Sequence, residues 1–308
     1  MKSSAFMNPD PSGAAVPNAD GIFQAELSES SHRPGRNPLP RGVLFLLLVI
    51  GVAVPIVLYW LPAERAKWQI AAAQAKWLDD DLPGAISILE IAAEEFPDTP
   101  AVYEQRLQFY FEAKQFDNAL ADAEKLVALT PKSPSALGLK SQALHHLGKH
   151  DKAIEVCKEI LRLAQEEWIG SVAQALNSLA YAQAIGDTQL EEALKNINES
   201  LRLAGDNPAL LDTRGYVKYR LGDSKAAKED IERAVEHWEQ LVAYQEAQSL
   251  PSVRSYQSET DRASYQQALA VMLYHRALVY DRLKMHDQAK VDRERVRNLG
   301  YEPNDQLF

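Results

Sequence analysis

Apolar residues recur at every third or fourth position in segments of similar sequence that repeat along the chain. The clearest segment is Phe116–Pro131 (FDNALADAEKLVALTP), and close variants begin at Leu82 (LPGAISILEIAAEEFP) and at His150 (HDKAIEVCKEILRLAQ). Each has an alanine near its start, and these alanines are spaced 34 residues apart: Ala85, Ala119 and Ala153, then Ala193 and Ala227. A fixed period of this length predicts an array of helical repeats.

If the early alanine is position 20 of a 34-residue unit, the chain contains six units. They are 66–99, 100–133, 134–167, 174–207, 208–241 and 270–303, and position 20 of the last is Ala289. Two interruptions break the period, at 168–173 and at 242–269. Other positions recur in several units: large residues at position 4 (Tyr103, Leu137, Leu211, Leu273), small ones at position 8 (Ala73, Ser141, Gly215, Ala277), tyrosine at position 11 (Tyr110, Tyr280), alanine at position 27 (Ala92, Ala234) and proline at position 32 (Pro97, Pro131).

This pattern resembles the tetratricopeptide repeat (TPR) family, over most of the chain beyond residue 61. The resemblance implies an all-α, right-handed helix-turn-helix solenoid of about six units, spanning residues 62–308. Small residues at positions 8 and 20 let the two helices of a unit approach closely, and large ones fill the seam with the next unit. Arg106 and Lys140 at position 7 depart from the family pattern, and the first helix of unit 4 slips by one residue.

Two segments precede the array. Residues 1–41 are rich in Pro, Ser, Asn and Gly, which predicts a disordered tail. Residues 42–61 (GVLFLLLVIGVAVPIVLYWL) carry no charge, and as a helix they would extend about 30 Å, the thickness of the bilayer hydrocarbon. This run predicts a single transmembrane helix of a bacterial-type inner membrane. A cleaved signal peptide is the alternative, but it would need a shorter apolar core and a shorter lead.

The orientation of this span is predicted from the basic residues on its two sides. Arg33, Arg36 and Arg41 precede it, whereas Arg65 and Lys67 follow it. The excess of positive residues on the cytoplasmic side then keeps the tail in the cytoplasm and places the C-terminal domain outside it.

The 242–269 insertion has helical character on both sides of Pro251. Two long helices are expected to project around 250–258, with Ser258 and Asp261 forming an N-cap pair. The sequence favours a hairpin that packs on itself through four apolar side chains, and a docking ridge is the alternative. These side chains are Trp238, Leu241, Tyr265 and Leu269. A mostly charged last helix with an apolar stripe of Ala289, Val296 and Leu299 is typical of a capping repeat, where the array is expected to end.

Composition and motifs argue against catalysis and against nucleic acid as a ligand. The formal net charge is -10, so a polyanion would be repelled.

Phosphate loops, HExxH and nucleophile elbows are absent from the sequence, and Cys157 falls at a seam position where a core residue is expected. We therefore predict no enzyme, no cofactor and no metal. Two clusters contain residue types that can bind metals but are predicted to be solvated turns: His145, His146 and His150, and Asp79, Asp80 and Asp81.

In such arrays, the resemblance implies, the first helix of each unit lines an inner groove through positions 2, 5, 9, 12 and 13. The predicted partner-binding residues are Gln74, Trp77, Gln108, Phe111, Gln142, His145, Asn177, Tyr181, Asp212, Tyr216, Tyr219, Tyr274 and Asp281. Amides and aromatic rings suit an adaptable peptide-binding surface. The family's basic clamp for chaperone C-termini needs Lys at position 5 and Asn at position 9, which this chain lacks.

Three functions follow as hypotheses. The first is a membrane-anchored scaffold that binds a protein or peptide partner in the groove, in the assembly of a complex. The second is a structural protein that self-assembles through the long-helix insertion. The third is a metal-dependent enzyme that uses the histidine cluster.

Overall fold

The computed structural model describes residues 40–55, 61–168, 170–248 and 256–304, and within them every regular element is an α helix. The helices are α1 (Arg41–Pro55), α2 (Leu61–Leu78), α3 (Leu82–Glu95), α4 (Pro100–Glu112), α5 (Phe116–Leu129), α6 (Pro134–His146), α7 (His150–Glu166), α8 (Val172–Ile185), α9 (Leu190–Ala204), α10 (Pro208–Arg220), α11 (Ser224–Gln248), α12 (Tyr256–Arg282) and α13 (His286–Asn298). The chain divides into two compact units, with the boundary between Ala53 and Val54.

The helix α1 lies in the first unit as far as Ala53, and after Arg41 it is apolar, with exposed side chains that include Phe45 and Leu48. Residues 56–60 and the predicted tail up to residue 39 lie outside the described residues. In the described part of the chain, no helix combines the length and the apolar character that crossing a membrane requires.

The second unit consists of six helix pairs, which confirms the predicted all-α solenoid. Each pair joins a first helix (α2, α4, α6, α8, α10 or α12) to a second helix (α3, α5, α7, α9, α11 or α13) through a short turn. The six alanines at position 20 are all 0% exposed: Ala85, Ala119, Ala153, Ala193, Ala227 and Ala289. Their burial gives the 34-residue period its physical reason, since a larger side chain would hold the two helices of a pair apart.

The helices begin and end where local chemistry requires. Asp81 caps α3 by accepting a hydrogen bond from the Gly84 N–H at 2.9 Å. Within a pair, the turn passes through the left-handed region at the same unit position, with φ 68° at Gly148 and 90° at Gly222, but also 56° at Lys114. The chain therefore reverses direction at a fixed point of the unit whether or not a glycine is present.

The departures at position 7 have a structural reason. In three units an arginine at this position donates two hydrogen bonds to a buried aspartate sixteen residues later, at position 23 of the same unit. The pairs are Arg106–Asp122, Arg214–Asp230 and Arg276–Asp292. A planar guanidinium matches a carboxylate in this bidentate geometry, so a buried ion pair joins the two helices of these units.

The predicted tyrosines at position 11 join successive units. The Tyr110 hydroxyl donates to Glu90 at 3.3 Å and the Tyr280 hydroxyl to Glu232 at 2.8 Å, in each case on the second helix of the preceding unit. Burial is the main reason why the pKa of each tyrosine rises to about 12. Both hydroxyls therefore stay protonated and act as donors.

The long helices of the insertion are confirmed, with 25 residues in α11 and 27 in α12. Trp238 packs on Tyr265 with ring centroids 5.9 Å apart and donates to its carbonyl oxygen, as a hairpin that packs on itself requires. Leu241 is 39% exposed, so it contributes less to this packing than the partly buried Trp238. The N-cap at Ser258 is wrong, because α12 has already begun at Tyr256 and a cap needs non-helical backbone.

The structure corrects the predicted start of unit 4 and confirms the apolar stripe of the last helix. The first helix of unit 4 begins at Val172, two residues before the predicted boundary of 174, so the first interruption is shorter than expected. In α13, Ala289 and Val296 are fully buried and Leu299 is partly buried, which confirms the apolar stripe. Residues 249–255, where the hairpin was expected to turn, lie outside the described residues.

Candidate functional site

The first helices form the inner row of the solenoid. Successive first helices contact each other directly, α2 with α4, α6 with α8, α8 with α10, and α10 with α12. We call the side of these helices that carries the predicted groove positions the inner surface, and direct contacts join its α6, α8, α10 and α12 part.

A cluster of aromatic and charged side chains lies where α8, α10 and α12 meet. His275 Nδ1 lies 2.8 Å from Asp212 Oδ2, and both side chains are buried. The His275 ring stacks on Tyr216, with centroids 4.2 Å apart and an interplanar angle of 17°, and meets the edge of Tyr181 at 6.0 Å. Burial raises the pKa of Tyr181 well above its ordinary value, and the charge of Asp212 adds to this effect. We call these residues and the neighbouring Tyr274 the inner aromatic cluster.

The cluster reaches the surface at the C-terminal ends of α10 and α12. Tyr219 stacks beside Tyr216 at 6.1 Å and is partly exposed. The Arg282 guanidinium lies 3.8 Å from the centre of the Tyr219 ring, and its Nη1 donates to the Tyr219 carbonyl oxygen at 2.5 Å. Arg220 donates to the Tyr216 hydroxyl at 3.1 Å and pairs with Asp187 at 3.1 Å. Tyr219 and the guanidinium groups of Arg220 and Arg282 therefore form a surface patch that rests on the buried Tyr216 ring.

At the other end of the inner surface, the predicted residues of units 1 and 2 make a smaller polar and aromatic group. The Trp77 ring stacks near Phe109 with centroids 6.4 Å apart, and its Nε1 donates to Glu112 at 2.6 Å. Burial raises the pKa of Glu112, although the hydrogen bond from Trp77 acts against this. Gln74 donates to Gln105 at 2.7 Å. The hydrogen bond from Trp77 to Glu112 thus joins the first helices α2 and α4.

The histidine cluster differs from the predicted solvated turn. Gly148 does form the turn, but His145 and His150 are partly buried with their Nδ1 atoms 3.1 Å apart, and His146 stacks on Phe116 at 4.4 Å. Burial, followed by the neighbouring histidines, lowers the pKa of His145 to about 4. Packing against Phe111 and Phe116 shields His146 from water, and the contact between His145 and His150 shields those two rings in part. Among the described residues, no three His, Cys, Asp or Glu side chains are grouped so that they could hold a metal ion.

The predicted lining residues fall into two groups by exposure. Those with at least partial exposure are Gln74, Trp77, Gln108, Phe111, Gln142, His145, Asn177, Tyr181, Tyr219 and Asp281. Asp212, Tyr216 and Tyr274 are buried and support the surface from below. The carboxylate of Asp281 is engaged by Arg293 at 2.6 Å and lies 3.1 Å from His286 Nδ1.

Three residues of this region were missed by the sequence reasoning: His275, Arg220 and Arg282. The two arginines occupy position 13 of units 5 and 6, one of the inner positions, so their signal was present in the sequence. His275 lies at position 6, outside the inner positions, and only the packing of α12 on α10 brings it to Asp212.

Cys157 has the environment of a core residue, as predicted. It is 2% exposed and its Sγ lies 3.2 Å from the Ser141 hydroxyl. Burial raises the pKa of its thiol to about 11, so the reactive thiolate is scarce near neutral pH.

The fold and the inner surface define a helical repeat solenoid of the tetratricopeptide type. The tetratricopeptide repeat family model matches residues 70–134 and 108–167. A tetratricopeptide repeat protein from Parabacteroides merdae has a similar structure, with a TM-score of 0.58 and 16% identity over 77% of this chain and 79% of that one. PilW, a type IV pilus biogenesis factor, gives a TM-score of 0.51 and 14% identity over 79% of this chain and 96% of that one. No curated protein sequence matches the chain.

At these levels of identity the two structures establish the fold and nothing about partners. Together with the family match over residues 70–167, they support a helical repeat fold like that of tetratricopeptide repeat proteins. Function must therefore be inferred from the side chains of the inner surface.

Proposed function

We propose that the protein is a protein–protein interaction scaffold that holds an extended segment of a partner protein on its inner surface. The observation that carries this proposal is the exposed end of the inner aromatic cluster, where Tyr219 lies between Tyr216 and the guanidinium of Arg282. Rigid rings offer a large contact area at a small loss of side-chain entropy, and they are enriched where binding energy concentrates.

The rest of the inner surface supports the same function. Gln108 is exposed and Gln142 is partly exposed, so these two residues offer amide groups that can donate to and accept from a bound chain. An extended peptide has unpaired backbone N–H and C=O groups, which such amides can satisfy.

The proposal includes a membrane anchor formed by residues 42–61, with the repeat domain outside the cytoplasm and a role in assembling a membrane complex. Its support is the uncharged apolar run and the excess of arginines before it. Protease treatment of sealed membranes tests this topology: the C-terminal domain should be cleaved from the outer side of the membrane. Cleavage only after lysis would place the domain in the cytoplasm.

In-cell photo-crosslinking tests the scaffold function. A photoreactive residue in place of Gln108 or Tyr219 should capture the same protein, whereas one in place of the exposed Lys152 on the second helix α7 should not. The captured protein is then purified, and Tyr219→Ser should weaken its binding without changing the helical content. Tyr216 is unsuitable for this substitution because it is buried and its loss would disturb packing. Equal capture from all three positions would refute an inner binding surface.

Self-assembly is the second candidate, and one observation favours it. Leu241 and Tyr244 on α11 are 39% and 65% exposed, next to the hairpin end of the helix. If this surface mediates oligomers, light scattering of the full chain in detergent should give a multiple of the monomer mass, and Tyr244→Ser should restore the monomer. A monomer at all concentrations would eliminate this candidate.

A further inference from the structure

Charge is distributed unevenly between the two rows of helices. The six second helices carry 13 Lys and Arg against 22 Asp and Glu, whereas the six first helices carry 11 against 7. The inner row is therefore the relatively basic side of a protein whose net charge is -10. Three of its cations are the position-7 arginines, which are already paired with aspartates. A negatively charged ligand would therefore have to pair with a different cation of the inner row.

Arg282 is the inner cation best placed to meet such a charge. Its side chain is exposed, and its guanidinium is held flat against Tyr219 by the ring and by the carbonyl oxygen that accepts from Nη1. A guanidinium has five N–H donors, so this bond uses only one of them. Within the described part of the chain, no carboxylate lies at ion-pair distance from Arg282. Its neighbour Asp281 is held by Arg293 instead.

Arg220 adds a second, weaker positive charge at the same patch. Its guanidinium lies 5.8 Å from the centre of the Tyr216 ring and is partly neutralised by Asp187, which is 61% exposed. The desolvated face of a ring holds a guanidinium in a fixed orientation, which reduces the entropy lost when a carboxylate binds. The patch is thus organised before any ligand arrives.

We propose that the ends of α10 and α12 bind an acidic peptide segment, whose side-chain carboxylate is received by Arg282 while its backbone crosses Tyr219. The proposal rests on the scaffold function and names the chemistry of its partner. Charge complementarity supports this occupant, because a short segment with a few carboxylates suits one exposed guanidinium beside an aromatic ring. A nucleic acid is disfavoured, since a long polyanion would meet the acidic second helices around the patch.

The test uses the full chain in detergent and three ten-residue peptides, fluorescently labelled at the N terminus and amidated at the C terminus. They share one sequence but carry glutamate, glutamine or lysine at every second position. In fluorescence anisotropy the glutamate peptide should bind about tenfold more tightly than the glutamine peptide, and its affinity should fall with added salt. Amidation removes the terminal carboxylate, so binding is attributable to side chains alone.

Two charge reversals of matched size complete the design. Arg282→Glu should reverse the preference, so that the lysine peptide binds better than the glutamate peptide. Arg297→Glu, at an exposed position of the second helix α13, should leave the preference unchanged. Equal effects of the two variants would show a general charge effect and overturn the proposal.

The remaining outcomes are also decisive. Equal binding of the glutamate and glutamine peptides overturns the proposal, as does tighter binding of a single-stranded oligonucleotide at the same patch. If none of the three peptides binds while crosslinking from Tyr219 still captures a protein, the acidic ligand is wrong and the scaffold function stands. If crosslinking from Tyr219 also captures nothing, the scaffold function fails with it.

Discussion

The substitution Gly215→Ala should destabilise the protein, although alanine is the better helix former. Gly215 lies within α10, where the second helix of its unit approaches most closely. A Cβ atom at this position would meet Ile231 Cγ1 at 2.4 Å, Ile231 Cδ1 at 3.0 Å and the Ala227 carbonyl oxygen at 3.1 Å. Ile231 is 0% exposed, so its side chain has little room to move away.

The magnitude follows from two opposing effects. Replacing glycine by alanine inside a helix stabilises by about 1 kcal/mol through backbone entropy. Overpacking a buried contact destabilises by about 1–3 kcal/mol. The net effect of Gly215→Ala should therefore be a loss of up to about 2 kcal/mol of the free energy of unfolding.

Gly138→Ala is the matched control, because Gly138 also lies inside a first helix but a Cβ there would have no atom within 4 Å. This variant should be stabilised by about 0.5–1 kcal/mol. Urea unfolding followed by circular dichroism at 222 nm measures both changes against the parent protein. If the two variants shift by the same amount in the same direction, close helix approach is not what the glycine at position 215 provides.

The remaining predictions concern buried charges and pH. Asp230→Ala should destabilise by about 3–5 kcal/mol, because it leaves the partly buried Arg214 without its carboxylate. Glu199→Ala removes the exposed pair with Arg202 and should change stability far less, because water screens this pair. Urea unfolding would compare them, and equal losses would show that burial does not set the strength of these pairs. Because the pKa of His145 falls to about 4 on folding, its neutral ring contributes stability that is complete above pH 6.5 and is lost as the pH falls towards 4. The free energy of unfolding should therefore fall by about 1–2 kcal/mol more in the parent than in His145→Gln between pH 7.5 and 5. The same pH dependence in both proteins would contradict the burial of this ring.

The factors that set the pKa of Asp230 explain why its ion pair with Arg214 should contribute strongly to stability. Burial acts to raise the pKa of its carboxyl group, but hydrogen bonds from Arg214 and Lys218 outweigh burial and hold the pKa below the usual value. The folded pKa is depressed, so this stabilisation is present above the unfolded pKa and is lost only as the pH falls below about 4. The losses from His145 and Asp230 thus occur in separate pH ranges and can be measured independently.

The sequence alone determined the helical period, the pairing of helices and the residues at the closest approach. This was possible because a repeat unit contacts mainly itself and its neighbours, so the same packing constraint acts at the same position of each unit. The alanines at position 20 mark where the two helices of a unit approach, and the prolines at position 32 mark where the second helix ends. Because both recur along the chain, most of the fold can be predicted from them. The long helices of the insertion could be predicted for the same reason, since the apolar period continues past the end of the unit.

The tertiary structure decided which inner side chains are accessible and which are joined. Tyr216 and Tyr219 look alike in the sequence, but packing of α12 on α10 buries the first and leaves the second partly exposed. The pairing of His275 with Asp212 follows from the packing of α12 on α10, and the long insertion between these helices sets the two residues 63 positions apart. The local sequence pattern cannot predict such contacts, because the exposure of a side chain and the residues it contacts depend on how separate helices pack in space.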